Sequence, residues 1–292
     1  MTGKNYDAII VGGGHNGVTT AAYLAKAGLD VVVLEKNDYI GGASVTREMH
    51  EGWFYSSCSY VCSMMRQSLH RDLDLTRHGL ILVPYLGTVN FGDDGQTLID
   101  YPSEEAAHLE LKRHSPHDAD SMHRFQADLG RYAQFIRKTL LRTPPDPVRM
   151  RPRDIRELLF LGKQMWALGE REMYEYMRFF TISAADFLED YFENDLIKAA
   201  MASPGIIGTA LGVYSPGSAY ILLHHVMGDV DGNIGARGLA RGGMGAISEA
   251  LASAAREHGA ESVSYTHLTL PTKVLGRRAR GAAEPASARG GC

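Results

Sequence analysis

The chain has 292 residues, with 30 Lys and Arg against 34 Asp and Glu, a formal charge of −4. That balance gives no reason to expect nucleic acid or an anionic membrane surface as a partner. At 45% hydrophobic and 22% charged it has the composition of one large or two ordinary globular domains.

The opening residues Met1–Asn5 run straight into an apolar stretch, leaving no room for a signal or transit peptide. No apolar run approaches the ~18 residues of a membrane span. The three cysteines, Cys58, Cys62 and Cys292, are too few for a secreted disulfide framework. These features predict a cytoplasmic protein, or a mitochondrial matrix protein if the source is eukaryotic.

Tyr6–Val11 is an apolar run ending in a glycine cluster, which predicts a buried parallel strand. Gly12-Gly13-Gly14-His15-Asn16-Gly17 follows, and a helical pattern then runs to Gly28. In such a strand-to-helix turn the first glycine permits the tight bend and the second lets the backbone approach a pyrophosphate. The third lets helix and strand pack closely. The helix N-terminus offers free N–H groups and a positive dipole end to the phosphates. Val31–Leu34 predicts a second strand, and Glu35 ends it where a carboxylate can accept bonds from an adenosine ribose. An acid there disfavours the 2′-phosphate of NADP.

Gly41–Ser59 reads as loop with short extended pieces. Ile81–Pro84, Thr88–Phe91 and Thr97–Asp100 predict short strands of one small antiparallel sheet. Ser103–His114 predicts a capped helix. Helical periodicity then continues for about ninety residues, broken at Thr143–Pro147. Ser218–Met227 predicts an apolar helix carrying His224 and His225, and Gly242-Gly243-Met244-Gly245 opens a last helix, Ala246–His258. Beyond about Val263 the chain becomes rich in Arg, Ala and Gly without apolar periodicity, and Gly276–Cys292 is expected to be disordered.

Glu35-Lys36 through Gly41-Gly42-Ala43-Ser44-Val45-Thr46 resembles the second fingerprint of FAD enzymes, in which the Gly-Gly turn lies toward the flavin. Together with Arg71–Leu75, Ser215–His225 and Gly242–Ala246, it makes residues 6–261 resemble the phytoene dehydrogenase-like flavoproteins of the amine oxidase and carotenoid desaturase superfamily. The resemblance implies a Rossmann-like α/β domain, residues 1–80 and 235–265, with an inserted helical substrate domain, residues 81–234. It implies FAD held by Gly12, Gly13, Gly14, His15, Asn16, Gly17, Glu35, Lys36, Gly41, Gly42, Ala43 and Ser44. It also implies hydride removal from an apolar or carbonyl-adjacent small molecule. Family members are longer, so the chain reads as their N-terminal part, residues 266–292 as a tail outside the family, and the fragment as inactive with weakly held FAD. On that reading helix faces carrying Phe125, Leu129 and Phe135 lack a partner and invite a second copy or another chain.

Hydride transfer to a flavin needs no catalytic side chain that spacing would reveal, so none is assigned, and no metal ligand set is recognised. Cys58 and Cys62 allow a second reading, a flavin disulfide reductase, although their spacing matches neither familiar redox pair; two buried structural thiols are the alternative. Adjacent His224 and His225 diverge by about 100° on a helix and cannot share a face, although one could serve as acid or base near the flavin. Gly242 and Gly243 either touch the cofactor or cap the following helix. A third reading is a non-catalytic dinucleotide-binding interaction protein.

Overall fold

A computed structural model describes residues 4–85, 87–230 and 233–265. The tail expected to be disordered, the segment 266–292 and Cys292 lie outside them.

Strand β1 (Ala8–Val11) leads through the glycine turn into α1 (His15–Lys26) and back along β2 (Val31–Leu34), in parallel register Ala8↔Val31 to Val11↔Leu34. Gly28 adopts φ +87°, the left-handed turn after the helix. The segment expected to be loop contains an antiparallel hairpin, β3 (Thr46–His50) with β4 (Trp53–Ser56). Its aromatic residues alternate with no buried face, so no period-two pattern announced it. Helix α2 (Gln67–Asp72) follows.

One three-stranded antiparallel sheet was expected next, and the structure divides it. β5 (Leu82–Pro84) separates from β6 (Val89–Phe91) and β7 (Thr97–Ile99), which form a hairpin of their own. The partner of β5 comes from far downstream, a pairing that local turn chemistry cannot announce.

Helices α3 (Glu104–His114) and α4 (Pro116–Arg137) are both capped by serine: Ser103 Oγ accepts from Ala106 N, and Ser115 Oγ from Asp118 N. Then come α5 (Pro152–Trp166), α6 (Gly169–Thr181), α7 (Ala184–Glu189) and α8 (Asp195–Ala202). The expected helix Ser218–Met227 is shorter: α9 (Ala219–Leu222) tightens into a 3₁₀ turn, Leu223–His225. The chain continues through β8 (Asp229–Val230), β9 (Asn233–Ile234), β10 (Gly238–Ala240), α10 (Gly245–Glu257) and β11 (Glu261–Val263). β10 pairs antiparallel with β5, and β11 pairs parallel with β2.

Two apolar cores result. One gathers small residues of α1 and α10, such as Ala21, Ala22, Ala25, Ala250, Ala254 and Ala255, beneath Val31 and Val33. Small side chains let the two helices approach closely. The other is helical and aromatic, with Tyr132 stacked on Phe179 at 4.4 Å and Phe187 edge-on to Phe179 at 4.9 Å.

The expectation of unpartnered helix faces is overturned for the residues that motivated it. Phe125, Leu129 and Phe135 are 4%, 6% and 9% exposed, covered by α6 to α8 and α9 of the same helical unit. Exposed apolar groups lie elsewhere: Ile9 and Val11 on β1, Trp53 and Phe54 on β4, Trp166 at the end of α5. In the sheet order β1-β2-β11, β1 is an edge among the described residues. No helix among them is long and apolar enough to cross a membrane.

Candidate dinucleotide site

The glycine turn between β1 and α1 adopts the geometry its spacing predicts. Gly12 has φ +100°, a conformation that L side chains rarely reach. A Cβ at position 17 would collide with the Gly12 carbonyl oxygen, so Gly17 is required by the close crossing of helix and strand. A Cβ at Gly14 would meet nothing nearer than Gly42 Cα at 3.9 Å, and Gly14 has ordinary dihedrals, φ −67° and ψ 167°. Neither packing nor backbone conformation of the protein itself therefore demands glycine there.

Helix α1 begins immediately beyond. Its N-cap, Gly14, makes no side-chain cap, and its first turn carries no acidic residue. The first-turn N–H groups of His15, Asn16 and Gly17 lack intrahelical acceptors by construction. They leave a bare positive helix end beside open space.

Glu35 lies just past β2 and is 7% exposed. Its Oε2 accepts from Gly13 N at 2.6 Å, and its Oε1 accepts from Asn37 N and Nδ2, each at 2.9 Å. Burial alone would raise its pKa; the N–H donors of Asn37, Gly13 and Lys36 outweigh that and hold the carboxyl below the usual glutamate range. The carboxylate thus holds the turn, a role that sequence reasoning did not anticipate.

The second glycine pair closes on the first. Gly41 N donates to Gly13 O at 2.8 Å, Gly14 and Gly41 form a parallel bridge, and a Cβ at Gly42 would stand 3.1 Å from Gly14 Cα. Ser44 is buried, its Oγ donating to Met244 O at 2.9 Å, while Ser248 Oγ donates to Ser44 O at 2.7 Å. The structure thus brings Gly12–Gly17, Glu35 and Gly41–Ser44 into one neighbourhood. Lys36 and Ala43 adjoin it in sequence.

Gly242–Gly245 forms the turn that opens α10. Met244 N donates to Ser56 Oγ at 3.0 Å and Gly245 N to Thr46 Oγ1 at 3.0 Å, so the β3–β4 hairpin satisfies the start of α10. The tyrosines of Tyr174-Glu175-Tyr176 part company: Tyr176 is in the helical core and Tyr174 is exposed.

The cysteines do not form a matched pair. Cys58 is exposed, against the expectation of two buried thiols, and Cys62 is buried. Burial pushes the Cys62 thiol up, which suppresses the thiolate that disulfide exchange requires. His224 is half-buried against Tyr220, and burial lowers its pKa; the His225 side chain lies outside the described structure. His117, Asp118 and Glu193 bring ligand atoms within 4.8 Å of one another. However, both Asp118 oxygens already accept main-chain N–H groups, from Glu193 and Asn194 at 2.9 Å each.

A parallel β-α-β unit with this glycine turn, bare helix end and terminal acid defines a dinucleotide-binding protein of the Rossmann class. Residues 10–72 match the NAD(P)-binding Rossmann-like domain family. The chain is 33% identical over 273 residues to pyridine nucleotide-disulfide oxidoreductase domain-containing protein 2 of Rattus norvegicus, covering 87% of this chain and 46% of that one. It is 61% identical over 97 residues to phytoene desaturase of Neurospora crassa, 33% of this chain and 13% of that one. The solved structure of putrescine oxidase bound to putrescine shares the fold at TM-score 0.52 and 17% identity, over 89% of this chain and 51% of that chain. The chain is thus similar to oxidoreductases of the amine oxidase and desaturase group, and it spans about half the length of the curated relatives it matches.

Proposed function

We propose that this chain carries the cofactor-holding part of an FAD-dependent oxidoreductase that removes hydride from a small, predominantly apolar molecule. One observation carries the cofactor assignment: the open space at Gly14, bounded by the bare N-terminus of α1 and by the Gly41–Gly42 turn. These groups fit a pyrophosphate, because the helix end supplies donors and positive potential, and glycine supplies clearance. FAD supplies the hydride-accepting chemistry when bound. In this reading His15–Gly17 hold the pyrophosphate through main-chain N–H groups, and Glu35 holds the ribose. Gly41–Ser44 extends toward the flavin.

The apolar substrate class rests on similarity. One relative, 32% identical over 139 residues, is a component of the limonene dehydrogenase of Castellaniella defragrans. The buried Cys62 and the exposed Cys58 give the disulfide-reductase alternative no matched thiol pair.

The test is direct. Purified protein, unfolded in denaturant, should release FAD identifiable by chromatography and fluorescence. Gly14→Val should abolish that release while the thermal unfolding of the flavin-free protein stays near the parent value. Equal flavin content in parent and variant would place the cofactor elsewhere.

A further inference from the structure

A cavity of about 330 Å³ opens in the helical unit, away from the glycine turns and lined by none of their residues. Its volume lies within the ~300–1,000 Å³ range of small-molecule sites. Part of its wall is one face of the β6–β7 hairpin. The register pairs Asn90 with Leu98, and Asp100 N donates to Thr88 O at 2.8 Å. Strand alternation therefore puts Thr88, Asn90, Leu98 and Asp100 on one side. The other side carries Val89 and Phe91, both exposed. Leu111 of α3 and Phe125 and Leu129 of α4 give the cavity an apolar lining, joined by Met201 and Leu222.

The polar groups gather in one neighbourhood. Asp100 adjoins Thr88 through the main chain, and Tyr85 Oη lies 3.1 Å from Thr88 Oγ1. Tyr85 N in turn donates to Arg237 O at 2.9 Å, placing Arg237 beside the group. Asp100 and Arg237 both line the cavity and sense each other's charge, yet no direct ion pair joins their side chains among the described residues. Asp100 remains open to solvent, although the chain crowding its carboxyl raises its pKa. A cationic ligand head would be attracted by the carboxylate and repelled by the guanidinium, and an anionic head the reverse. A neutral group that both donates and accepts is served by both at once.

We propose that this cavity binds a compact apolar molecule bearing one uncharged hydrogen-bonding group, a hydroxyl in the simplest case, seated between Asp100 and Arg237. The inference rests on reading the chain as an oxidoreductase of small apolar molecules, and it adds the position and polarity of the head group.

Isothermal titration of the full 292-residue chain with 4-isopropylcyclohexanol, and with the amine and carboxylate of the same skeleton, tests it. The alcohol should bind at least tenfold more tightly than either charged analogue. Asp100→Asn should bring the carboxylate level with the alcohol, and Arg237→Gln should do so for the amine. Both side chains are accessible or half-buried, and an unchanged melting temperature would confirm that the variants fold; the ranking on the parent chain decides independently. Absence of alcohol binding, preference for a charged analogue, or a ranking indifferent to both substitutions in folded protein would each overturn the proposal. Because the titration is run with and without added FAD, it does not depend on redox chemistry. A chain that binds the alcohol with this ranking yet takes up no FAD would refute the cofactor reading alone.

Discussion

At the scale of single residues, the glycines of the turn divide by what requires them. Gly17 is required by the protein itself, because a methyl there meets the Gly12 carbonyl. Gly17→Ala should therefore cost at least ~3 kcal/mol of stability in denaturant unfolding. Gly14→Ala should stay within ~1 kcal/mol and show its effect in cofactor affinity instead. Glu35 accepts from Gly13 and Asn37, so Glu35→Ala loosens the turn itself, whereas Glu35→Gln retains an acceptor. Its carboxyl is held below the usual range in the folded state. The stability it adds is thus present above the unfolded carboxylate pKa, ~4.3, and is lost as pH falls through the lower folded value. Glu35→Gln should flatten the fall in stability below about pH 4.5, read from melting temperatures across pH. The roles of Gly12 and Gly17 were legible in the sequence because each follows from spacing alone. The bonds from Glu35 to Gly13 and Asn37 were not, because they depend on how far the turn folds back over the strand.

At the scale of elements, Asp118 joins two helices. It sits in the first turn of α4, wholly buried, and accepts the N–H groups of Glu193 and Asn194 at the entry to α8. Asp118→Ala would remove the acceptor from both part-buried donors, a loss of about 1–3 kcal/mol. His117→Ala, at an exposed partner, should cost under ~1 kcal/mol. Urea unfolding of the two variants separates a structural staple from a surface pair. Helix existence was readable here, from the serine cap of α3 and the apolar spacing at Phe125, Leu129 and Tyr132 of α4, whereas the Ser115 cap was not. Strand partnership was not. β5 reads as a neighbour of β6 yet pairs with β10, because pairing is settled by tertiary contacts that the intervening helices impose.

At the scale of the whole molecule, the open flank of the sheet is the principal liability. Ile9 and Val11 are 62% and 71% exposed on an edge strand, the arrangement that favours edge-to-edge association. Ile9→Thr with Val11→Thr should reduce concentration-dependent light scattering and shift the unfolding free energy by less than ~1.5 kcal/mol; unchanged scattering would place the sticky surface elsewhere. The hydrogen bond from Ser248 to Ser44, 204 positions apart, has a consequence for the nascent chain. The glycine turn, its helix and its acid are synthesised early, yet α10 and β11, which cover and extend them, are among the last described elements to emerge. At ribosomal speeds of ~5–20 residues per second, roughly 10–40 s separate the first half of the unit from its closure. During that interval the helical unit can complete its own aromatic core. Helix α10 then packs against α1 after the helical residues have emerged, and the apolar strands β1 and β2 wait in the cell for as long as the ribosome takes to deliver it.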